Sequence, residues 1–410
     1  MNCTRVVIIN DFSLARGGAT ALALLSAKLF RARGVPVTLF CGDDARHTAI
    51  ADLGVDIVSV GGKPLLEQGK LHAMASGLYN TRAKSALEQL IRDKDTKDTI
   101  YHVHAWSLIL SPSIFSALKP VAPRVVIHSH DQFLACPNGV FYDFQKRISC
   151  DRSPLGASCL ATQCDKRSFL HKGWRVLRQT GLRSILTDKH DWGAVVAIHP
   201  KMQDRLSTFG YGSMTLKTLR NPVHPFTAQR VKAEENSSFY FVGRMEPDKG
   251  IIELAHAARA AEVPLVTVGE GPLSQMFQTE FPEVRQEGWC DAPRLAVLLQ
   301  EARAVVMPSL YAEPFGMVAI EAQQSGLPVI MPHTAFLAEE ITSRGLGLAC
   351  DVLDPVDFAR TLITMKEMPA EDLRRISETA YANETPFAMT PQGWGDSLLS
   401  MYDALIDKAA

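Results

Sequence analysis

Pro308-Ser-Leu-Tyr-Ala-Glu-Pro-Phe-Gly-Met-Val-Ala-Ile-Glu-Ala322 is the stretch whose reading settles the architecture. Ala304 to Pro308 is a short apolar, valine-rich run, fit for a strand buried in a parallel sheet. A loop carrying Glu313 follows, and a helix is expected over Val318 to Ser325. Pro328 to Met331 is the next strand. Strand, loop, helix, strand is the repeating piece of a doubly wound α/β sheet. The alternation extends upstream as strands at Ser238 to Val242 and Pro264 to Val268 and helices at Ile251 to Ala261 and Ala292 to Glu301.

The first half carries the same pattern. Strands are expected at Arg5 to Ile9, Pro36 to Phe40, Val55 to Val60, Thr99 to Val103, Arg124 to His128 and Gly193 to Ile198, with a helix over Ala19 to Arg33. The two halves part near Leu219-Arg-Asn-Pro-Val-His-Pro-Phe226, where two prolines and then the charged run Arg230 to Glu235 read as a linker. The expected domains are 1–222 and 223–390, with a last helix in 391–410.

Composition narrows the function. The chain has 410 residues, 43 Lys+Arg against 44 Asp+Glu, and 46% apolar residues. That length predicts two domains, and the balanced charge speaks against a dedicated nucleic-acid binder. No apolar run approaches the roughly 18 residues that span a bilayer. The start, Met1-Asn-Cys-Thr-Arg-Val-Val-Ile-Ile-Asn10, has too short an apolar part for a signal peptide, so a cytoplasmic location is expected. Eight cysteines in such a length do not make a disulfide scaffold.

Two loops carry chemistry. In Phe241-Val-Gly-Arg-Met-Glu-Pro-Asp-Lys-Gly250, Arg244 and Lys249 stand beside a helix start, whose free N–H groups and dipole suit a diphosphate. Taken alone they read as two solvated surface charges. In the second loop, Glu313 before the helix and Glu321 one turn inside it can face one polar ligand such as sugar hydroxyls, while the N–H groups of Phe315, Gly316 and Met317 face anionic oxygens. A capping carboxylate and an exposed helix charge are the plainer readings. His128-Ser-His-Asp131 follows a strand, and a histidine there can donate a hydrogen bond or move a proton. His102 and His104 fit packing better.

In order, Val242-Gly-Arg-(x4)-Lys-Gly250, Val268-Gly-Glu-Gly-Pro272, Pro308-Ser309, and Glu313-(x7)-Glu321 before Gly326-Leu-Pro-Val-Ile330 resemble the retaining nucleotide-sugar glycosyltransferases of family 4. The resemblance covers about residues 240 to 332, and more loosely Gly17-Gly18, His102-x-His104 and His130-Asp131. It implies a GT-B fold, two Rossmann-like domains facing across a cleft, with the last helix crossing back to the first, acceptor-side domain. It implies that Arg244 and Lys249 hold the donor diphosphate in place of a metal, and that Glu321 binds the donor ribose. Glu313 and the amides of Phe315 to Met317 would contact the donor sugar, and Gly288-Trp289 would flank the base. Gly17-Gly18 would let backbone approach the donor, and His130 would touch the sugar at the reacting centre. No cofactor is implied beyond a donor of UDP or GDP type; the acceptor would be a glycan or lipid-linked glycan of cell-envelope polysaccharide synthesis.

Two segments depart from that pattern. Cys136, Cys150, Cys159 and Cys164 are spaced more widely than ordinary zinc pairs. Free thiols are the expectation, and one zinc the alternative if the loop folds on itself. Lys166 to Arg183 carries six Lys/Arg and no acid, with apolar residues interleaved. It reads either as a basic amphipathic helix on an anionic membrane surface or as a solvated helix with a buried stripe. Gly173 and Gly181 weigh against one long helix. Competing functions on the same fold are a non-hydrolysing nucleotide-sugar 2-epimerase and a non-catalytic sugar-binding scaffold. A dinucleotide oxidoreductase fits poorly, since the first strand lacks Gly-x-Gly-x-x-Gly.

Overall fold

The structure is a computed structural model and describes residues 2–15, 17–46, 50–186, 190–208, 211, 214–384 and 386–409. It divides into two compact units. The first is formed by residues 1–146, 150–221 and 390–410, the second by 147–149 and 222–389.

The first unit holds a seven-stranded parallel sheet: β1 (Arg5–Asn10), β2 (Val37–Cys41), β3 (Asp56–Ser59), β4 (Thr99–Val103), β5 (Val125–Ser129), β6 (Ala194–Ala197) and β7 (Thr215–Thr218). The order is β3-β2-β1-β4-β5-β6-β7. Val6 to Asn10 are buried, and Ile8 lies between Leu39 and His102. The second unit holds a six-stranded parallel sheet of β8 (Ser238–Val242), β9 (Leu265–Val268), β10 (Arg285–Gln286), β11 (Ala302–Val306), β12 (Val329–Pro332) and β13 (Gly347–Cys350), in the order β10-β9-β8-β11-β12-β13. Each sheet starts at its centre, runs outward to one edge and then returns to fill the other side. The strand order therefore reverses beside β1 and β4 in one unit and beside β8 and β11 in the other. Ligands of open parallel sheets bind outside the carboxyl ends of strands at such a reversal.

Most expected elements are present within one or two residues. β11 lies two residues earlier than expected, stopping at Val306 and leaving Met307 and Pro308 to the loop. The helices Pro355–Glu367 and Ala370–Ala382 lie beyond the sequence reading. The final helix, Pro391–Ala409, packs on the first unit with Trp394, Leu398, Met401 and Leu405 buried. Tyr402 meets Phe30 edge-on at 5.6 Å, and Asp403 accepts from the backbone N–H groups of Asn2 (2.7 Å) and Cys3 (2.8 Å).

Candidate functional site: loops at the strand reversals

In the second unit the loops after β8, β9 and β11 are locked together by glycines. A Cβ on Gly250, which sits at φ +69°, would lie 1.9 Å from the Pro308 carbonyl oxygen, and one on Gly269 would lie 2.0 Å from that of Gly243. No side chain fits in either gap, so these glycines let backbone meet backbone. The result places Lys249 directly over the loop that carries Glu313.

Lys249 Nζ donates to Glu313 Oε2 at 2.9 Å and to Tyr311 OH at 2.8 Å, and Ser309 Oγ donates to the same Glu313 oxygen at 3.1 Å. Both members of the ion pair are about one-fifth exposed, so water screens it only partly. Burial works against ionisation of Glu313, but Lys249, Tyr311 and Ser309 outweigh it and hold its carboxyl below the ordinary range. Burial likewise opposes the charge on Lys249, and Glu313 and Tyr311 overcome it and hold it charged. Ser309 and Tyr311 were not read as partners from sequence. Their even spacing with Glu313 was the available signal.

Two helices begin here, Ile251–Ala260 and Met317–Gln324. Each starts from a left-handed glycine, Gly250 (φ +69°) or Gly316 (φ +63°), and neither has a side-chain cap. Ser, Thr, Asp or Asn usually fills that position and satisfies the first N–H groups. Here those groups are left for a ligand, and an anion is the ligand they favour. Phe315 is buried under this turn. Glu321, one turn along, is half-buried, and among the described residues none pairs with its carboxylate. Burial pushes it up to about 7. Arg244 stands on the exposed side of the loop, 68% accessible and paired with Glu246 at 2.7 Å. Trp289 is 73% exposed, with its N–H 3.4 Å from Glu270 Oε1, beside Gly288 in a left-handed turn (φ +69°). Charge, free amides, a carboxylate and an exposed aromatic face are thus gathered on one unit at the β8–β11 reversal.

At the β1–β4 reversal of the first unit the structure places four histidines in a block. His104 Nδ1 is 3.0 Å from His130 Nε2, and His128 Nδ1 is 3.3 Å from His102 Nε2. His128 and His130 stack at 4.2 Å, and His102 and His104 lie tilted at 41° with centroids 4.1 Å apart. Tyr402 OH meets His102 Nδ1 at 2.6 Å. His102, His104 and His128 are buried and His130 half-buried. Burial holds all four neutral, His130 with its pKa pushed down to about 3. His130 therefore belongs to a packed cluster and acts as a neutral hydrogen-bonding group. Gly17 precedes the helix Gly18–Ala32 in extended backbone (φ 167°), with open space where a Cβ would be. Asp11, not singled out in sequence, accepts from the N–H groups of Leu108, Ile109 and Leu110 at 2.9 Å and so fixes the loop after β4.

The four cysteines of the 136–164 loop are free thiols. Their sulfurs do not converge as a zinc site requires. Lys172 Nζ stands instead 3.1 Å from Cys164 Sγ and 3.4 Å from Cys159 Sγ. The basic segment forms one helix, Phe169–Ile185, through both glycines. Its charges divide between surface and interior, with Lys166, Arg167 and Arg183 exposed. Lys172 and Arg178 are buried and Arg175 pairs with Asp165 at 2.7 Å, whereas Phe169 (55%), Leu170 (75%) and Leu177 (63%) face outward. Arg178 lies over the Trp106, Phe133 and Trp174 rings, which repay its lost hydration in part.

Known proteins share the fold and part of the sequence. The sequence description of the family "Glycosyl transferases group 1" matches residues 225–383. A glycogen synthase of Mycobacterium tuberculosis is 28% identical over 273 residues, which cover 61% of this chain and 62% of that relative, so the chain spans less than two thirds of its length. Among solved structures, sucrose-phosphate synthase from Thermosynechococcus elongatus superposes with a TM-score of 0.69 at 15% identity, covering 99% of this chain and 100% of that one. HepE from Anabaena, solved in complex with UDP, gives 0.64 at 15% identity over 98% and 100%. The fold is α/β and of GT-B type, with two Rossmann-like units. No described helix is long and apolar enough to cross a membrane. The chain thus carries, over residues 225–383, a match to the glycosyl transferases group 1 family on a fold of GT-B type.

Proposed function

We propose that the protein is a retaining glycosyltransferase that moves a hexose from a nucleoside-diphosphate sugar to a glycan or lipid-linked glycan in cell-envelope polysaccharide synthesis. The observation that carries the reading is the Lys249–Glu313 pair, held by Tyr311 and Ser309 below two helix starts that lack side-chain caps. Lys249 and Arg244 supply positive charge where the leaving diphosphate develops negative charge, the electrostatic part of such a transfer. The amides at Phe315 to Met317 and the carboxylate of Glu313 bind the donor sugar, and Glu321 accepts from the ribose hydroxyls. Gly288-Trp289 lies against the base. The resemblance would also bring His130 to the sugar and Gly17-Gly18 to the donor; these residues belong to the first unit, and His130 would have to turn out of its contact with His104 to do so. HepE was solved with UDP, and a UDP or GDP donor suits the same groups here.

Melting temperature with UDP, GDP, ADP, CMP, NAD and NADH tests the donor. At about 100 times its dissociation constant a ligand adds about 2.7 kcal/mol to the native state. One nucleoside diphosphate will raise the transition; NAD acting alone would overturn the reading. The anomeric configuration of the product by NMR then separates retention from inversion, and conversion of the nucleotide sugar to its C2 epimer, with the diphosphate still attached and no glycoside formed, would favour the epimerase.

Membrane contact now rests on a different surface from the one the charges suggested. Leu66 (77% exposed), Leu71 (85%) and Met74 (46%) lie on and beside the helix Lys70–Leu78, which packs against Phe169–Ile185 through a Trp174 N–H to Met74 carbonyl bond of 3.0 Å. With Phe169 and Leu170 they form an apolar surface flanked by exposed Lys166 and Arg167. Leu71→Glu/Leu170→Glu will lower co-sedimentation with anionic vesicles several-fold, while transfer to a water-soluble acceptor is unchanged. Equal sedimentation of parent and variant would remove the membrane surface.

A further inference from the structure

The imidazole block leaves three nitrogens without partners, although they are buried: His104 Nε2, His128 Nε2 and His130 Nδ1. Buried polar atoms normally find a partner, and each one left alone is costly. One nitrogen from each of His102, His104 and His128 lies within 4.8 Å of the other two. Among the described residues this is the one group of three or more His, Cys, Asp or Glu side chains so arranged; the four loop cysteines are not.

We propose that His102, His104 and His128 bind a first-row divalent transition metal ion such as zinc in the first unit. One set of tautomers serves all three ligands. If His102 Nδ1–H donates to Tyr402 OH and His104 Nδ1–H donates to His130 Nε2, then His102 and His104 present lone pairs on Nε2, and the 3.3 Å contact between His102 Nε2 and His128 Nδ1 gives way when the ion binds. His128 presents its own on the unpartnered Nε2. A metal-bound histidine commonly donates its other N–H to a fixed acceptor, and Tyr402 and His130 are placed for that task. An all-imidazole set suits zinc, copper or nickel rather than magnesium or calcium. Zinc at about 2.1 Å from each nitrogen needs them about 3.4 Å apart, so the rings close in slightly on loading. A water or anion completes the fourth position. The ion would tie the ends of β4 and β5 to the final helix through Tyr402, and would hold His130 in place through His104. Its three ligands belong to the first unit, whereas the diphosphate loops belong to the second.

The test uses the untagged full chain, stripped with a chelator and titrated with zinc chloride or cobalt chloride. The expected result is one equivalent bound with a raised melting temperature, and a cobalt spectrum of four-coordinate form without thiolate charge-transfer bands. Tyr402→Phe, which keeps the ring, will weaken zinc about 10- to 100-fold. His104→Ala/His128→Ala will abolish the site, and Cys159→Ser/Cys164→Ser will leave it intact. No stoichiometric binding by the parent chain would overturn the proposal. So would thiolate bands in the cobalt spectrum, or loss of binding only in the cysteine variant. The parent spectrum decides the matter even if the double histidine variant does not fold.

Discussion

Lys249→Met will lower kcat/KM by about 10²- to 10³-fold, the usual loss when one preorganised donor to a developing charge is removed. It will also destabilise the second unit. Glu313 keeps only Ser309 and Tyr311 as partners, so its carboxylate loses the cation that offsets burial. Breaking one side of a buried pair costs about 3–5 kcal/mol, and the partial exposure here brings that to about 1–3. Adding Glu313→Gln to Lys249→Met removes the stranded charge, so stability will recover while transfer stays lost. Chemical denaturation and steady-state rates separate the two effects. If transfer returns along with stability, Lys249 serves only to neutralise Glu313 and the diphosphate role fails. Arg244→Ala is the companion experiment. Its guanidinium is exposed, and exposed pairs contribute about 0–1 kcal/mol. Transfer will fall with the melting temperature almost unmoved.

Glu321→Gln will make the protein more stable at neutral and alkaline pH while weakening nucleotide binding. Burial raises the Glu321 carboxyl to about 7, against an ordinary 4.5. Between those values the folded chain keeps a proton that the unfolded chain gives up. Stability therefore falls as pH rises through that window, and the penalty is complete above about 7. At 1.36 kcal/mol per unit, the full shift amounts to about 3 kcal/mol, an upper bound. Melting curves of parent and variant will separate by several degrees at pH 8 and merge near pH 4.5. A constant gap across that range would mean that the carboxyl titrates normally. The unpartnered carboxylate is then a site held ready for hydroxyl donors at some cost in stability.

The alternation of strands and helices was legible because buried parallel strands are apolar runs bounded by turns, and Ser238 to Val242 is such a run. The helix at Pro355 was missed although Asp354 announces it, accepting from the Val356 and Asp357 N–H groups. Loop positions of the binding residues were also legible. That Lys249 meets Glu313, 64 residues later, was not. The pairing depends on Gly250 pressing against Pro308, a contact that spacing does not reveal. The basic helix misled for a similar reason. Lys172, Arg175 and Arg178 look like a solvated face until thiols, Asp165 and aromatic rings from distant segments receive them. The histidine block had a signal, two residues of separation on two neighbouring parallel strands, but its depth did not show.

The path of the chain has a consequence for synthesis. The second unit is inserted between residue 221 and residue 390 of the first, whose core takes in Trp394, Leu398 and Tyr402. Domains generally fold as they emerge from the ribosome. The first sheet leaves the exit tunnel early but must wait, with the groove for the last helix uncovered, through translation of the whole second unit. The unit made first is thus the one finished last. Nascent chains stalled before residue 390 should bind chaperones, and release of the final helix should end that dependence.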